Sequence, residues 1–244
     1  IRDAMRDGRL SPAARPDRRF VAPSDPVTVD TDHFHLEGLD YEATDEELQT
    51  LGDIFEFVWS AEIVEHGWNQ PRGTDTGKMD IYLAALEEWH LGYTSKYDDG
   101  SPYIVLNADM SFTDQSTEDA WRVTAAHEFH HGVQLTYDSN AAGWWMESTA
   151  TWMEDEVYDD IDDYFTYLRS TQWPAYPEIS LVASNGWHEY GSVLWNKYLS
   201  ENYGGHDAIQ TIWEGCVEEN VKEATSAGLA EQGVQHDDAF MDFS

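Results

Sequence analysis

The chain has 244 residues, 41% hydrophobic and 14% aromatic, with 48 Asp and Glu against 13 Lys and Arg, for a formal net charge of −35. This length suits one or two domains with a sizeable core, and the apolar content excludes compositional disorder. The charge repels nucleic acid and anionic membrane surfaces. No apolar run reaches the roughly 18 residues of a membrane span, and a single cysteine, Cys216, excludes an internal disulfide framework.

The charge is unevenly placed. The first 20 residues hold six of the basic residues and three of the acids, which leaves 45 acidic against 7 basic residues after them. Residues 1–26 carry Arg2, Arg6, Arg9, Arg15, Arg18 and Arg19 with Pro12, Pro16, Pro23 and Pro26, and read as an extended basic segment. It is either a linker or a pro-segment remnant lying on the acidic body, and the start at Ile1 reads as processed or trimmed. An ordered core under so acidic a shell suggests salt adaptation, because at molar salt the Debye length is about 3 Å and self-repulsion is screened. The plainer alternative is an ordinary acidic secreted protein.

In chain order, His33 to Leu36 alternates as a short strand. Thr44-x-x-Glu47 is a capping box, and Leu48, Leu51, Ile54, Phe55 and Val58 follow at helical spacing, predicting an amphipathic helix over 45–65 that Gly67 stops. Met79–Leu86 and Tyr103–Leu106 read as strands, with a turn at Asp98-Asp99-Gly100 between them. Ser116-Thr117 before Glu118 and Asp119 starts a helix expected to reach Tyr137. Residues 139–143 break it, and a second helix runs from Trp144 to Tyr158. Further helical stretches are Ile161–Leu168, Tyr190–Glu201 and Ala208–Val217. The order predicts an α+β fold: an N-terminal part over 27–137 and a helical part over 138–244.

His127-Glu128-Phe129-His130-His131 contains H-E-x-x-H. Four helical residues turn through about 400°, so His127 and His131 share one face and reach one metal ion. Glu128 lies beside that face, where its carboxylate touches a metal-held water without ligating. In this composition the motif arises by chance with a probability of about 3–4%, so a third ligand matters. A metzincin continuation would need a glycine and a histidine where the chain has Gln134 and Tyr137, which excludes that class. The best carboxylate is Glu147, sixteen positions after His131. In one straight helix that separation would be about 24 Å; the break at 139–143 lets a second helix fold back and aim Glu147 at the imidazoles.

The chain resembles the gluzincin metallopeptidases on these residues: His127-Glu128-x-x-His131, then Trp144-x-x-Glu147-x-x-Ala150-x-Trp152-x-Glu154-Asp155, then Tyr190-Gly191 before Leu194-Trp195 and Tyr198-Leu199. It is most similar to secreted bacterial and archaeal gluzincins and more distantly to the aminopeptidase N type, over roughly residues 30–215. The resemblance implies a zincin-like fold, a Zn2+ ion held by His127, His131 and Glu147, and Glu128 as general base. It further implies an oxyanion donor on a later helix, Tyr190, with His188 as the nearest substitute. In the aminopeptidase N type a Tyr-x-x-Gly stretch supplies this phenol, whereas here the glycine follows Tyr190 directly. The G-x-M-E-N motif that holds a free amine in those enzymes is absent, which favours cleavage within chains. The resemblance also puts the strand Tyr103–Leu106 at the sheet edge, where a polypeptide substrate adds as a further strand.

Glu154, seven residues after Glu147 and on the same helix face, reads either as a hydrogen-bond partner of a zinc histidine or as a solvated charge. His130 points to another face and reads as structural, and Cys216 as a small buried apolar residue. Asp98-Asp99 and Asp159-Asp160-x-Asp162-Asp163 are candidate Ca2+ ligands without EF-hand spacing, and solvated acidic surface explains them better. The expected activity is that of an extracellular zinc endopeptidase. The alternatives are a zinc-binding but inert surface module and a calcium-laden acidic structural protein. The sequence is silent on oligomeric state.

Overall fold

The computed structural model describes residues 26–39, 43–73, 77–87, 89–168, 176, 178–218 and 220–244. The basic segment expected over 1–26 lies, but for Pro26, outside the described residues. The fold is α+β, and the chain divides into two compact units, the first ending at Val133 and the second starting at Gln134.

The first unit contains strands β1 (Thr28–Asp30) and β2 (Phe34–Gly38), helix α1 (Asp45–Trp59), strands β3 (Met79–Ala84), β4 (Gly92–Lys96) and β5 (Pro102–Asn107), and helix α2 (Thr117–Gln134). The capping box is formed: Glu47 N–H donates to Thr44 Oγ1 at 3.1 Å, and Thr44 N–H donates to Glu47 Oε2 at 2.8 Å. Leu48, Leu51, Ile54, Phe55 and Val58 are all buried. Helix α1 stops being α-helical at Trp59 and continues as a π-helical turn over Ser60–Glu65, so the expected 45–65 helix changes winding in its last third.

The sheet order is β1-β2-β3-β5-β4, with β2, β3 and β5 parallel and β1 and β4 antiparallel to their neighbours. This corrects the expected edge position of Tyr103–Leu106. Strand β5 is paired on both sides, by β3 and β4, and β4 is the terminal strand. All six β5 residues are buried, as a continuous apolar run between two neighbours requires. The register aligns Leu36, Ile81, Ile104 and Thr94 across four strands on one face. Phe34 lies on that face too, and its ring meets Phe55 at 5.3 Å and Phe129 at 5.8 Å, so the strand, α1 and α2 share one core. The opposite face carries Tyr82, Ala84, Tyr103 and Val105. There Tyr97 Oη donates to Asp80 Oδ2 at 2.7 Å and lies 2.8 Å from Tyr82 Oη.

The second unit is helical: α3 (Gly143–Val157), α4 (Tyr164–Leu168), α5 (His188–Gly191), α6 (Val193–Tyr203), α7 (His206–Gly215), α8 (Val221–Glu231) and α9 (His236–Phe243). Trp145, Trp152 and Trp213 are fully buried, and Trp213 Nε1 donates to Thr149 Oγ1 at 3.3 Å. Gly204 and Gly205, both at positive φ, reverse the chain between α6 and α7. Cys216 is buried, and burial, then the Asp138 charge, pushes its thiol up to about 12, so it behaves as an apolar residue.

Candidate metal centre

Helix α2 starts where the sequence places its cap. Asp119 N–H donates to Ser116 Oγ at 3.1 Å, and Arg122 bridges Glu118 and Asp119 on the solvent side. Trp121 Nε1 donates to the Asn107 carbonyl at 3.0 Å and ties the helix to the end of β5. From Trp121 onward almost every residue is buried, including His127, Glu128, His130 and His131. So many buried polar side chains on one helix are unfavourable unless each is engaged.

The helix ends at Gln134, short of the expected Tyr137, and the Gln134 side chain reaches the next helix. Its Nε2 donates to the Met146 carbonyl and to Thr149 Oγ1, each at 2.9 Å, while Tyr137 and Asp138 N–H fold back onto the Gln134 carbonyl. Both acceptors lie on α3, one residue before and two residues after Glu147. Ligand atoms of His127, His131 and Glu147 all lie within 4.8 Å of one another, and all three residues are buried. The two imidazole rings are 4.7 Å apart and nearly perpendicular. Two nitrogens and a carboxylate oxygen are the donor set of a catalytic zinc site, with ligand bonds of about 2.0–2.2 Å. At tetrahedral angles two such atoms lie about 3.4 Å apart, so the group could hold a metal ion once its ligand atoms draw together.

Glu128 sits in the same turn. Its Oε2 lies 2.8 Å from the hydroxyl of Thr94 on β4, and the same hydroxyl lies 2.6 Å from the Glu128 carbonyl. On the other side of α2, His130 Nδ1 lies 2.8 Å from Glu62 Oε2 in the π-helical turn, and both side chains are wholly inaccessible. Burial holds the Glu62 carboxyl well above the usual carboxylate range.

Glu154 is buried two turns after Glu147 on α3. The phenol of Tyr167 on α4 is held high by burial, then by the charges of Glu154 and Asp163. The Tyr190 ring stacks on Tyr167 at 5.0 Å. Thus Glu154 and Tyr190 are gathered around Tyr167. His188 is buried at the start of α5, and burial pulls its pKa below the usual imidazole value. That start is fixed by Asn185 Oδ1, which accepts from Trp187 and His188 N–H, and by Glu189, which accepts from Asn185 and Gly186 N–H. At the expected turn, Asp99 Oδ1 accepts from Ser101 N–H at 2.9 Å.

Residues 45–229 match the family described as "Family of unknown function (DUF6055)". The chain belongs to the DUF6055 family. The match spans every candidate residue from Thr94 to Tyr190 in this DUF6055 chain. No curated protein matches it.

Three residues that contact side chains singled out in the sequence escape a reading of it: Thr94, Glu62 and Tyr167. Glu62 left a signal, since it lies four residues after Val58 and seven after Phe55, on the apolar stripe of the helix expected over 45–65, where an acid is out of place. Tyr167 lies in a stretch expected to be helical but in no motif. Thr94 is one polar residue in Gly92-Tyr93-Thr94-Ser95-Lys96, a strand with no apolar run.

Proposed function

We propose that this chain is a zinc-dependent endopeptidase of gluzincin type, extracellular and salt-adapted, built on a zincin-like fold. One observation carries the reading: His127, His131 and Glu147, all buried, bring ligand atoms within 4.8 Å of one another, with Glu128 in the same helical turn. The zincin-like fold is supported by a mixed sheet that ends in an antiparallel edge strand and is followed by the helix bearing H-E-x-x-H. The acidic charge supports the placement in salt.

His127 and His131 would hold the ion as neutral imidazoles and Glu147 as a carboxylate. A bound Zn2+ supplies Lewis acidity and lowers the pKa of water toward about 7. Glu128 takes the proton of the attacking water on its carboxylate and returns it to the leaving amine. The phenol of Tyr190, or the ring of His188, donates a hydrogen bond to the developing oxyanion. The substrate is a polypeptide. Among the described residues, β4 pairs with β5 alone, so its other edge offers main-chain groups to an extended peptide.

The test is metal analysis followed by hydrolysis of a quenched peptide or casein at molar salt. The purified chain should carry one zinc, cleave the substrate, lose activity to a chelator and regain it with Zn2+. Glu128→Gln should keep the zinc and lose hydrolysis. A chain that retains zinc yet cleaves neither substrate is an inert zinc-binding module, and a chain without zinc affinity overturns the proposal.

A further inference from the structure

Three of the four residues in the row Leu36–Ile81–Ile104–Thr94 are aliphatic and form part of the core beneath the helices. The fourth, on the edge strand, is a threonine that is 2% exposed. A valine would fill the same volume without a hydroxyl that needs a partner in the interior. The hydroxyl has its partners on α2: Thr94 Oγ1 lies 2.8 Å from Glu128 Oε2 and 2.6 Å from the Glu128 carbonyl oxygen. Glu128 is itself 2% exposed. A carboxylate in such a place adopts whatever rotamer its hydrogen bonds dictate, since bulk water does not compete for it.

We infer that Thr94 is the positioning residue of Glu128: the edge-strand hydroxyl holds one carboxyl oxygen, Oε2, and so presents the other, Oε1, for proton transfer. The inference rests on the peptidase reading, in which Glu128 is the general base. A threonine hydroxyl has one proton to donate, and the Glu128 carbonyl and Oε2 both lie within its reach, so the carboxyl oxygen is held beside the backbone of its own residue. The arrangement also couples the base to the strand whose free edge would take the substrate, so the two are aligned by one side chain.

The test compares Thr94→Val, which keeps the volume and removes the hydroxyl, with Thr94→Ser, which keeps the hydroxyl and loses a methyl. Each is loaded with zinc at molar salt and assayed on a quenched peptide. Zinc affinity is measured by chelator competition and the Glu128 rotamer by crystallography. Thr94→Val should lower kcat about 10- to 100-fold, the range found when an outer-shell partner is lost, with KM and zinc affinity within about twofold of wild type. Its crystal structure should show the Glu128 carboxyl group rotated away from β4. Thr94→Ser should recover most of kcat, which a purely structural role would not predict. A folded, zinc-loaded Thr94→Val enzyme with wild-type kcat overturns the inference, as does Thr94→Ser failing like Thr94→Val. Thr94→Ala, read the same way, serves if the valine variant does not fold. Should wild type itself bind zinc and cleave nothing, the peptidase reading fails. The crystal structure of the variant then decides: a displaced Glu128 sustains the positioning role, and an unmoved one overturns it.

Discussion

Replacing Glu62 with Gln separates two descriptions of the contact behind the candidate metal helix. Glu62 Oε2 and His130 Nδ1 are 2.8 Å apart, both side chains are 0% exposed, and Trp68 packs edge-on against the imidazole at 4.9 Å. Either the pair is ionic, or a neutral carboxylic acid donates to a neutral imidazole. Burial raises the Glu62 carboxyl well above its usual 4.5, which favours the neutral form. A glutamine side chain also offers an N–H to Nδ1, so Glu62→Gln preserves a neutral contact and should cost less than about 1 kcal/mol. Were the pair ionic, the same change would strand a buried cation and cost about 3–5 kcal/mol.

The pH dependence gives a second handle on the same residue. A folded-state pKa above the unfolded one means that the native protein holds a proton which the unfolded chain has released. The resulting stability is fully present below about pH 4.5 and is lost as the pH rises through the folded pKa, by up to about 1.4 kcal/mol per pH unit. Glu62→Gln removes this slope. Urea denaturation at molar salt, followed by far-ultraviolet circular dichroism from about pH 5 to pH 8, should show the variant gaining on wild type as the pH rises. A loss of 3 kcal/mol or more, or a difference that does not move with pH, refutes the neutral pair.

Glu147→Ala should weaken zinc binding at least about tenfold in a chelator competition, since it removes a ligand where even outer-shell losses reach that size; unchanged affinity would mean that another group completes the site. Phe129→Ala should destabilise the protein by about 3–5 kcal/mol in urea, because its fully buried ring lies 5.8 Å from both Phe34 and Trp59; a loss under about 1 kcal/mol would remove it from the core. Dialysis from about 2 M salt into dilute buffer should unfold the chain reversibly, because a net charge of −35 then acts over a Debye length several-fold longer; full stability in dilute buffer would make the acidity incidental.

The parts of this fold that could be read beforehand share a cause: the pattern repeated over several turns or ended on a residue with one local use. Helix α1 shows both, with five buried apolar residues at helical spacing behind a Thr44–Glu47 box. Its π-helical end was not legible: it carries Glu62, whose partner His130 lies 68 residues away. Strand β4 has no apolar alternation, and α8 and α9 are short helices whose buried residues are few. The stretch expected to be helical from Ile161 begins only at Tyr164, after Asp162 takes a φ of +53°. The expected helix 190–201 is split at Ser192, whose hydroxyl donates to the Leu181 carbonyl at 2.8 Å.

The candidate site divides along the same line. His127, Glu128 and His131 are set by helical rotation alone, so spacing suffices to put them together. Glu147 needed one more inference, a helix break at 139–143, and Gln134, whose side chain reaches Met146 and Thr149, carries no mark in the sequence beyond being polar. Thr94 needed the sheet order. Strand β4 precedes β5 in the chain yet lies outside it, at the end of the order β1-β2-β3-β5-β4. Only that inversion puts Thr94, rather than a β5 residue, at the end of the row that meets α2. A strand order is fixed by which strands bury both faces and both edges, and the six buried residues of β5 claim the interior place. The polar strand is left at the edge, where a hydroxyl pointing to the helix face can meet a carboxylate and, among the described residues, the other side of its backbone pairs with no strand. A single packing preference therefore places both the partner of Glu128 and the free edge proposed for the substrate.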